Sequence, residues 1–291
     1  MNPLSKNASK AYKIAAIAIF IALAVASALA FTRGFESDIR YFKDSPLTVV
    51  LAISSVAALG LAVSSLFVFK GQKATSHPEP LFRFVAMLPM IAMIRLIIHF
   101  IWSEYSRLAQ SSEKATLDVW VIFIVITAVF SVIYNLSEIF EMNKPLKLIS
   151  GLMQIIFCII AIASLYVDFT VELNSPVKLL IQFSAAAMLL CMLADLRKEL
   201  DLPNAAAFTL SRICSVSMGL VSAVALFAEI LPNADKYPDS YSVYALVFIV
   251  CGIKSAVEYF SSPINNAVGK KAEDDTKEPC EDSESASGEN E

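Results

Sequence analysis

Charged residues are scarce in this sequence, and their scarcity excludes an ordinary water-soluble fold. Only 17% of the residues are Asp, Glu, Lys or Arg, whereas soluble domains average about 25%. Hydrophobic residues make up 57%, which is more than a single buried core requires. They lie in runs of about 18–24 residues, long enough to cross a bilayer core about 30 Å thick. The sequence therefore predicts an all-α fold, a polytopic transmembrane helical bundle.

Catalytic and metal-binding motifs are also absent. The sequence has no HExxH zinc helix, no GxSxG elbow, no P-loop and no GxGxxG turn. Its two histidines are too few for a His-rich metal centre. Four of the five cysteines lie inside apolar runs, where we interpret them as small hydrophobic residues. We expect a non-enzymatic protein with no cofactor and no metal.

Prolines mark most boundaries between the apolar runs, because proline ends a helix or begins one. We predict a cytoplasmic N-terminal segment at 1–13, a transmembrane bundle at 14–263 and a disordered acidic tail at 264–291. The bundle is predicted to contain eight helices at about 14–31, 47–69, 84–102, 119–140, 148–167, 177–195, 205–231 and 241–260.

The distribution of lysine and arginine predicts the orientation of the bundle. With the N-terminus in the cytoplasm, the inner segments hold fifteen of these residues and the outer segments hold seven. This asymmetry favours a cell-membrane protein with both termini in the cytoplasm, since translocated loops are depleted of positive charge. An alternative is that the first apolar run, which ends in Ala28-Leu29-Ala30, is a cleaved signal peptide.

The tail predicts the partners of the chain. Residues 264–291 contain nine acidic residues against three lysines and almost no large apolar residues. Such a segment is either a solubilising end of the chain or a docking segment for a basic cytoplasmic protein. The lipid bilayer is the other expected partner, and no nucleic acid is expected.

Two kinds of sequence match suggest an internal repeat. Asp44-Ser45-Pro46 and Asn174-Ser175-Pro176 precede the second and sixth runs, and acidic residues close the fourth, sixth and eighth. These matches favour two four-helix halves related as a parallel repeat. The alternative is coincidence, because apolar runs draw on few residue types.

The hairpins punctuated by proline, with an acidic residue closing each even helix, resemble those of uncharacterised multipass membrane proteins of bacteria. The resemblance extends along most of the chain in its general pattern. It implies a bacterial cytoplasmic membrane and carries no activity with it.

Small residues at four-residue spacing predict close helix contacts, because helices in lipid associate by close approach. The seventh run contains such a series at Ser211, Ser215, Gly219 and Ala223. We interpret it as a packing face within the bundle, and a dimer interface is the alternative.

The third apolar run contains one candidate intramembrane polar site. Arg95 and His99 lie one helical turn apart, and Pro89 interrupts the same run. Charges inside a bilayer are costly and often functional, so these residues could form an anion site or a proton-sensitive switch. The alternative is that Arg95 pairs or snorkels while His99 lies in an aromatic belt.

A second candidate is a layer of charges at the cytoplasmic rim. The carboxylates lie near the C-terminal ends of helices, where the helix dipole disfavours negative charge, and cations lie at similar depth. We expect interhelical ion pairs here, and a cation or proton site opening inward is the alternative. The layer consists of Arg83, Glu138, Lys147, Asp195, Arg212, Lys254 and Glu258.

These features lead to two functional hypotheses. The first is a non-enzymatic scaffold or sensor, because the short loops leave the bundle and its cytoplasmic edge as the working surfaces. The second is a small-solute or ion transporter that uses the charged residues inside the bundle. Glycine and proline interruptions, which expose backbone groups in many carriers, are few here.

Overall fold

A computed structural model of the chain describes residues 3–74, 80–110, 117–140, 142–262 and 264–266. Over these residues it confirms the predicted helical bundle, with eight helices long and apolar enough to cross a membrane. The helices are α1 Pro3–Leu29, α2 Pro46–Val68, α3 Pro80–Gln110, α4 Val119–Phe140, α5 Lys144–Val167, α6 Pro176–Glu199, α7 Ala205–Ala225 and α8 Asp239–Ser261.

The helix starts follow from local sequence. Proline is the first residue of α2, α3 and α6, where its missing N–H donor would have no partner within the helix. The side chain of Asn204 accepts hydrogen bonds from the backbone N–H groups of Ala206 at 2.9 Å and Ala207 at 3.3 Å, which caps the start of α7. These signals explain why most predicted boundaries lie close to the observed ones.

The third helix is longer than predicted. It continues to Gln110 because its polar end is stabilised by an ion pair one turn apart, between Arg107 Nη2 and Glu104 Oε1 at 2.6 Å. Two helices also continue into a π-helical turn, α1 at Ala30–Gly34 and α7 at Leu226–Ile230. The turn after α7 lies within the predicted seventh helix, whereas the turn after α1 extends beyond the predicted end of the first helix at 31.

Two short antiparallel strand pairs lie at opposite ends of the bundle. At one end, β1 Phe35–Glu36 pairs with β2 Tyr41–Phe42 in the connection between α1 and α2. At the other end, β3 Gln72–Ala74 pairs with β4 Ile264–Asn266, which follows α8. We call these the β1–β2 end and the β3–β4 end. The predicted orientation places the β3–β4 end in the cytoplasm.

The seventh helix is the most buried of the eight, and the second is the least. The seventh helix, α7, packs against α8, α6, α2 and α1. The contact with α8 is close because two glycines face each other. A Cβ atom added to Gly219 would lie 2.9 Å from the Cα of Gly252, so no larger residue fits without moving a helix.

Parts of the sequence-based domain prediction lie outside the described residues. The first three residues of the predicted tail form β4, and residues 267–291 are among those that the structure does not describe. The parallel repeat stays a prediction, as does the signal-peptide alternative. In the structure α1 packs against α2 and α7, with Ala16, Phe20 and Leu23 buried.

Candidate functional site

Five ionisable side chains from four helices meet inside the bundle near the β3–β4 end. Arg212 of α7 pairs with Asp195 of α6, and its Nη2 lies 2.7 Å from Oε2 of Glu258 on α8. Lys254 Nζ of α8 lies 2.5 Å from Oε2 of Glu138 on α4 and 3.9 Å from Oε1 of Glu258. We call these five residues the charge cluster. They connect α4, α6, α7 and α8.

The two cations of the charge cluster are buried within the apolar bundle, and the three carboxylates are 11–20% exposed. The Arg212 side chain is 3% exposed and that of Lys254 is 9% exposed. Arg212 is the eighth residue of α7, which places its backbone about 10 Å along the helix from its start. Three carboxylates face two cations here, so the fully ionised cluster carries one net negative charge.

The positions of the acids explain why cations accompany them. Glu138, Asp195 and Glu258 each lie in the last two turns of a helix, where the partial negative charge of the helix end opposes a carboxylate. A buried carboxylate without a partner is costly in an apolar medium. Arg212 and Lys254 compensate this cost by bridging two acids each.

A small cavity lies against the charge cluster, with room for about one water molecule. Asp195, Arg212 and Lys254 form part of its wall, and the side chain of Gln154 enters from α5. Gln154 is 1% exposed, and its Oε1 atom has no hydrogen-bond partner among the described residues. The other lining residues are Pro89, Asn135, Met188, Cys191, Met192, Ser215, Cys251 and Ser255.

The candidate site on the third helix is arranged differently from the sequence prediction. Arg95 is exposed on the outer surface of the bundle, and it forms no ion pair with another described residue. His99 is half-buried, and its ring lies 5.5 Å from that of Phe100 between centroids. Pro89, in contrast, is buried and lines the cavity beside the charge cluster. The structure therefore joins Pro89 with the rim charges and separates it from Arg95.

The two remaining residues of the predicted rim lie outside the charge cluster. Lys147 Nζ pairs with Oε1 of Glu199 at 2.6 Å, which links the start of α5 to the end of α6. The side chain of Arg83 lies outside the described residues. Sequence reasoning missed Glu199 as a partner, because nothing in the sequence distinguishes it from the other acids at that depth.

Sequence reasoning also missed the sulfur-containing residues of the cavity. Met188, Cys191, Met192 and Asp195 are spaced at i, i+3, i+4 and i+7, which places them on one face of α6. That spacing was available from the sequence. It reads as an ordinary apolar stripe, however, until the structure places it beside a charged cavity.

The β1–β2 end contains a different kind of polar network. Glu229, 1% exposed, lies in the π-helical turn after α7 and accepts hydrogen bonds from Ser37 Oγ at 2.7 Å and Tyr237 Oη at 3.0 Å. Burial and the nearby Glu229 carboxylate raise the pKa of the Tyr237 hydroxyl, which keeps it a donor. We call Glu229, Ser37 and Tyr237 the outer network.

Two further cations stabilise the β1–β2 end. Lys178 is fully buried and donates hydrogen bonds to the backbone carbonyls of Asp168 and Val171 in the connection between α5 and α6. On the surface, Lys236 Nζ lies 2.8 Å from Oδ1 of Asp38. The hydrogen bond and the charge of Lys236 lower the pKa of the Asp38 carboxyl.

Comparison with known proteins gives no family for this arrangement: no family model, no curated protein and no solved structure matches the chain. Within the described residues, no three His, Cys, Asp or Glu side chains are arranged to hold a metal ion. A functional proposal for this chain therefore rests on its fold and its two polar networks.

Proposed function

We propose that the protein is a non-enzymatic membrane sensor and that the protonation of the charge cluster is its signal. One observation carries the proposal: three carboxylates share two buried cations at the junction of four helices, and the carboxylate side chains are only 11–20% exposed. Intramembrane charges are rare and are commonly retained for function. We therefore expect a cluster with one excess carboxylate to bind and release a proton.

The excess carboxylate determines the response. A buried carboxylate that lacks a full cationic partner lowers its free energy by binding a proton. Glu258 is the shared acid, since it faces both Arg212 and Lys254. When the number of bound protons changes, the division of the two cations among the three acids changes as well. The pairing of α4, α6, α7 and α8 then changes with pH.

Other groups around the charge cluster would tune this response. The Tyr134 ring of α4 lies 5.9 Å from Lys254 Nζ, and α5 contributes Gln154. Cys191 and Cys251 line the same cavity from α6 and α8. The pair of Lys147 and Glu199 lies between α5 and α6, and α3 presents Pro89. No further cation joins the pairs of the cluster among the described residues.

Infrared spectroscopy of the full chain in lipid tests the proposal. A protonated carboxylic acid absorbs separately from a carboxylate, so we expect a carboxylic band whose intensity titrates with pH. Asp195→Asn or Glu258→Gln should remove or shift the band. Asp201→Asn is the matched control, because Asp201 is exposed and pairs with Lys144 at 2.8 Å. A wild-type protein without a titrating carboxylic band from mild acid to mild alkali would overturn the proposal.

A transporter is the second candidate, and the outer network favours it. Arg212 lies in the second turn of α7 and Glu229 lies in the π-helical turn that follows α7, so a polar network closes each end of the bundle. Alternating access requires two such closures.

Proton flux separates the two candidates. Vesicles containing the protein, a pH-sensitive dye and an imposed membrane potential should show flux only if the protein is a carrier or channel for protons. Asp195→Asn should abolish that flux, whereas Arg95→Gln should leave it unchanged. Absence of flux together with a titrating carboxylic band favours the sensor.

The predicted cytoplasmic location of the charge cluster belongs to this proposal. With that orientation the sensor would respond to the pH of the cytoplasm. A scaffold that uses the acidic tail stays a prediction, because the tail beyond Asn266 lies outside the described residues.

A further inference from the structure

Four sulfur-containing side chains converge on the cavity. Met188, Cys191 and Met192 project from one face of α6, and Cys251 meets them from α8. All four side chains are buried, and both cysteines are free thiols. Isolated sulfur residues in a membrane helix are adequately explained as small or flexible apolar groups. Four of them around one cavity require a further explanation.

One pair of these sulfur atoms is spaced as two ligands of a single ion would be. The Cys251 thiol lies 3.8 Å from the Met188 sulfur, measured from Sγ to Sδ. Two sulfur atoms that each lie about 2.3 Å from one ion are about 3.8–4.0 Å apart at tetrahedral or trigonal angles. The Cys191 thiol donates to the backbone carbonyl of Ser211 at 3.2 Å, and its Sγ is 3.7 Å from Ser255 Oγ, which fixes its position at the cavity wall.

We propose that Met188, Cys191 and Cys251 bind one soft monovalent metal ion of the copper(I) class. Thiolate and thioether ligands select copper(I) over hard cations, and no histidine lines the cavity. Groups of His, Cys, Asp and Glu alone do not form a metal site in the described chain. Here the thioether of Met188 supplies the third ligand. The site does not depend on the proposed sensor function.

Binding conserves charge within the cavity. The Cys251 thiol loses a proton, its sulfur forms a bond to the ion, and the proton leaves to the medium. One positive charge therefore replaces another, and no electron is transferred. Met188 and Cys191 contribute neutral sulfur donors. One proton should be released for each ion bound, a quantity that a pH indicator measures directly.

Silver(I) is a suitable probe, because it is a soft monovalent ion that does not change oxidation state under these conditions. The first variant replaces Cys158, Cys214 and Cys280 by alanine, which leaves Cys191 and Cys251 as the two thiols of the chain. Titration of this variant in detergent should show one bound ion per chain. X-ray absorption at the silver edge should show sulfur atoms as the nearest neighbours of the ion. A variant that folds but binds no ion would overturn the proposal.

Two substitutions then test the ligands. Cys251→Ala in the same background should weaken silver(I) binding by at least about 10-fold. Met188→Leu in the same background should weaken it measurably, since leucine keeps the volume and removes the sulfur. Met218→Leu is the matched control, because Met218 of α7 packs against the hydrophobic core and does not line the cavity. Equal affinity of the Met188→Leu and Met218→Leu variants would exclude Met188 as a ligand and overturn the proposed site.

The outcome is separable from that of the sensor proposal. The infrared experiment depends on carboxylates of the charge cluster, whereas silver(I) binding depends on sulfur atoms. An Asp195→Asn variant that loses the carboxylic band and still binds silver(I) would support both proposals. Loss of silver(I) binding in Cys251→Ala, with no titrating band in the wild type, would support the metal site and reject the sensor.

Discussion

The two ends of the bundle neutralise buried charge in different ways. At the β3–β4 end, opposite charges on four helices pair directly, and one carboxylate is left in excess. At the β1–β2 end, Glu229 and Lys178 are each satisfied by neutral partners, namely hydroxyl groups and backbone carbonyls. Direct pairing couples four helices inside the bundle. Neutral hydrogen bonds hold the connections between helices, including the contact of Ser37 with Glu229.

Removal of Arg212 should give the largest loss of stability, because it affects the end at which charges pair directly. Arg212→Met leaves Asp195 and Glu258 without their shared cation, and breaking a buried ion pair costs about 3–5 kcal/mol. Unfolding by SDS in mixed micelles measures the loss. Arg95→Met is the matched control, since Arg95 is exposed and should change stability little. Equal losses for the two variants would show that the charge cluster does not stabilise the bundle.

The contact between α7 and α8 should give the next largest loss of stability, because the two helices approach closely at Gly219 and Gly252. Gly219→Ala places a methyl group 2.9 Å from the Cα of Gly252 and should destabilise the protein by about 1–3 kcal/mol. Gly60→Ala provides the control, because a Cβ atom at Gly60 meets nothing within 4 Å. The same unfolding assay applies, and a neutral Gly219→Ala would show that the two helices separate without cost.

The outer network should be less sensitive to loss of charge. Glu229→Gln retains an acceptor for a hydroxyl donor and should cost about 1 kcal/mol, since no described cation pairs with Glu229 at this end. Stability of this variant should therefore lie well above that of Arg212→Met. A loss of about 3 kcal/mol or more would indicate that Glu229 takes part in an ionic network like that of the β3–β4 end.

The smallest effect concerns the surface pair of Asp38 and Lys236. The pKa of Asp38 is lowered in the folded state, so its contribution to stability is present above the pKa of the unfolded chain. The contribution is lost as the pH falls through the lowered value. Carbon-13 NMR titration of Asp38 measures that pKa. Lys236→Met should raise it toward the ordinary aspartate value, and an unchanged pKa would show that Lys236 is not its cause.

Much of the fold follows from the sequence, because lipid allows few alternatives. Apolar runs of sufficient length must form helices, and prolines such as Pro46 and Pro176 begin them. The extension of α3 to Gln110 was missed, since an ion pair rather than hydropathy stabilises its last turns. The small-residue series on α7 correctly predicted a close contact, although its partner, Gly252, required the structure.

The candidate site was predictable only in part. The depth of Glu138, Asp195 and Glu258 indicated that they need cations, and the structure supplies Arg212 and Lys254. Which cation meets which acid depends on the rotation of each helix about its axis, and no short pattern encodes that rotation. The same uncertainty left two alternatives for Arg95, a polar site inside the membrane or a side chain that pairs or snorkels. Lys178 and Glu229 were given no role, since their partners are backbone carbonyls and hydroxyl groups from connections.

The pairing of β3 with β4 has a consequence for synthesis. Residues 72–74 follow the second helix, whereas their partners at 264–266 follow the eighth. A ribosome must therefore deliver all eight helices before this ladder can form. Until then β3, in the connection between α2 and α3, has no partner strand. The β3–β4 ladder therefore forms only after α8 has been synthesised, and its formation indicates that the complete bundle is present.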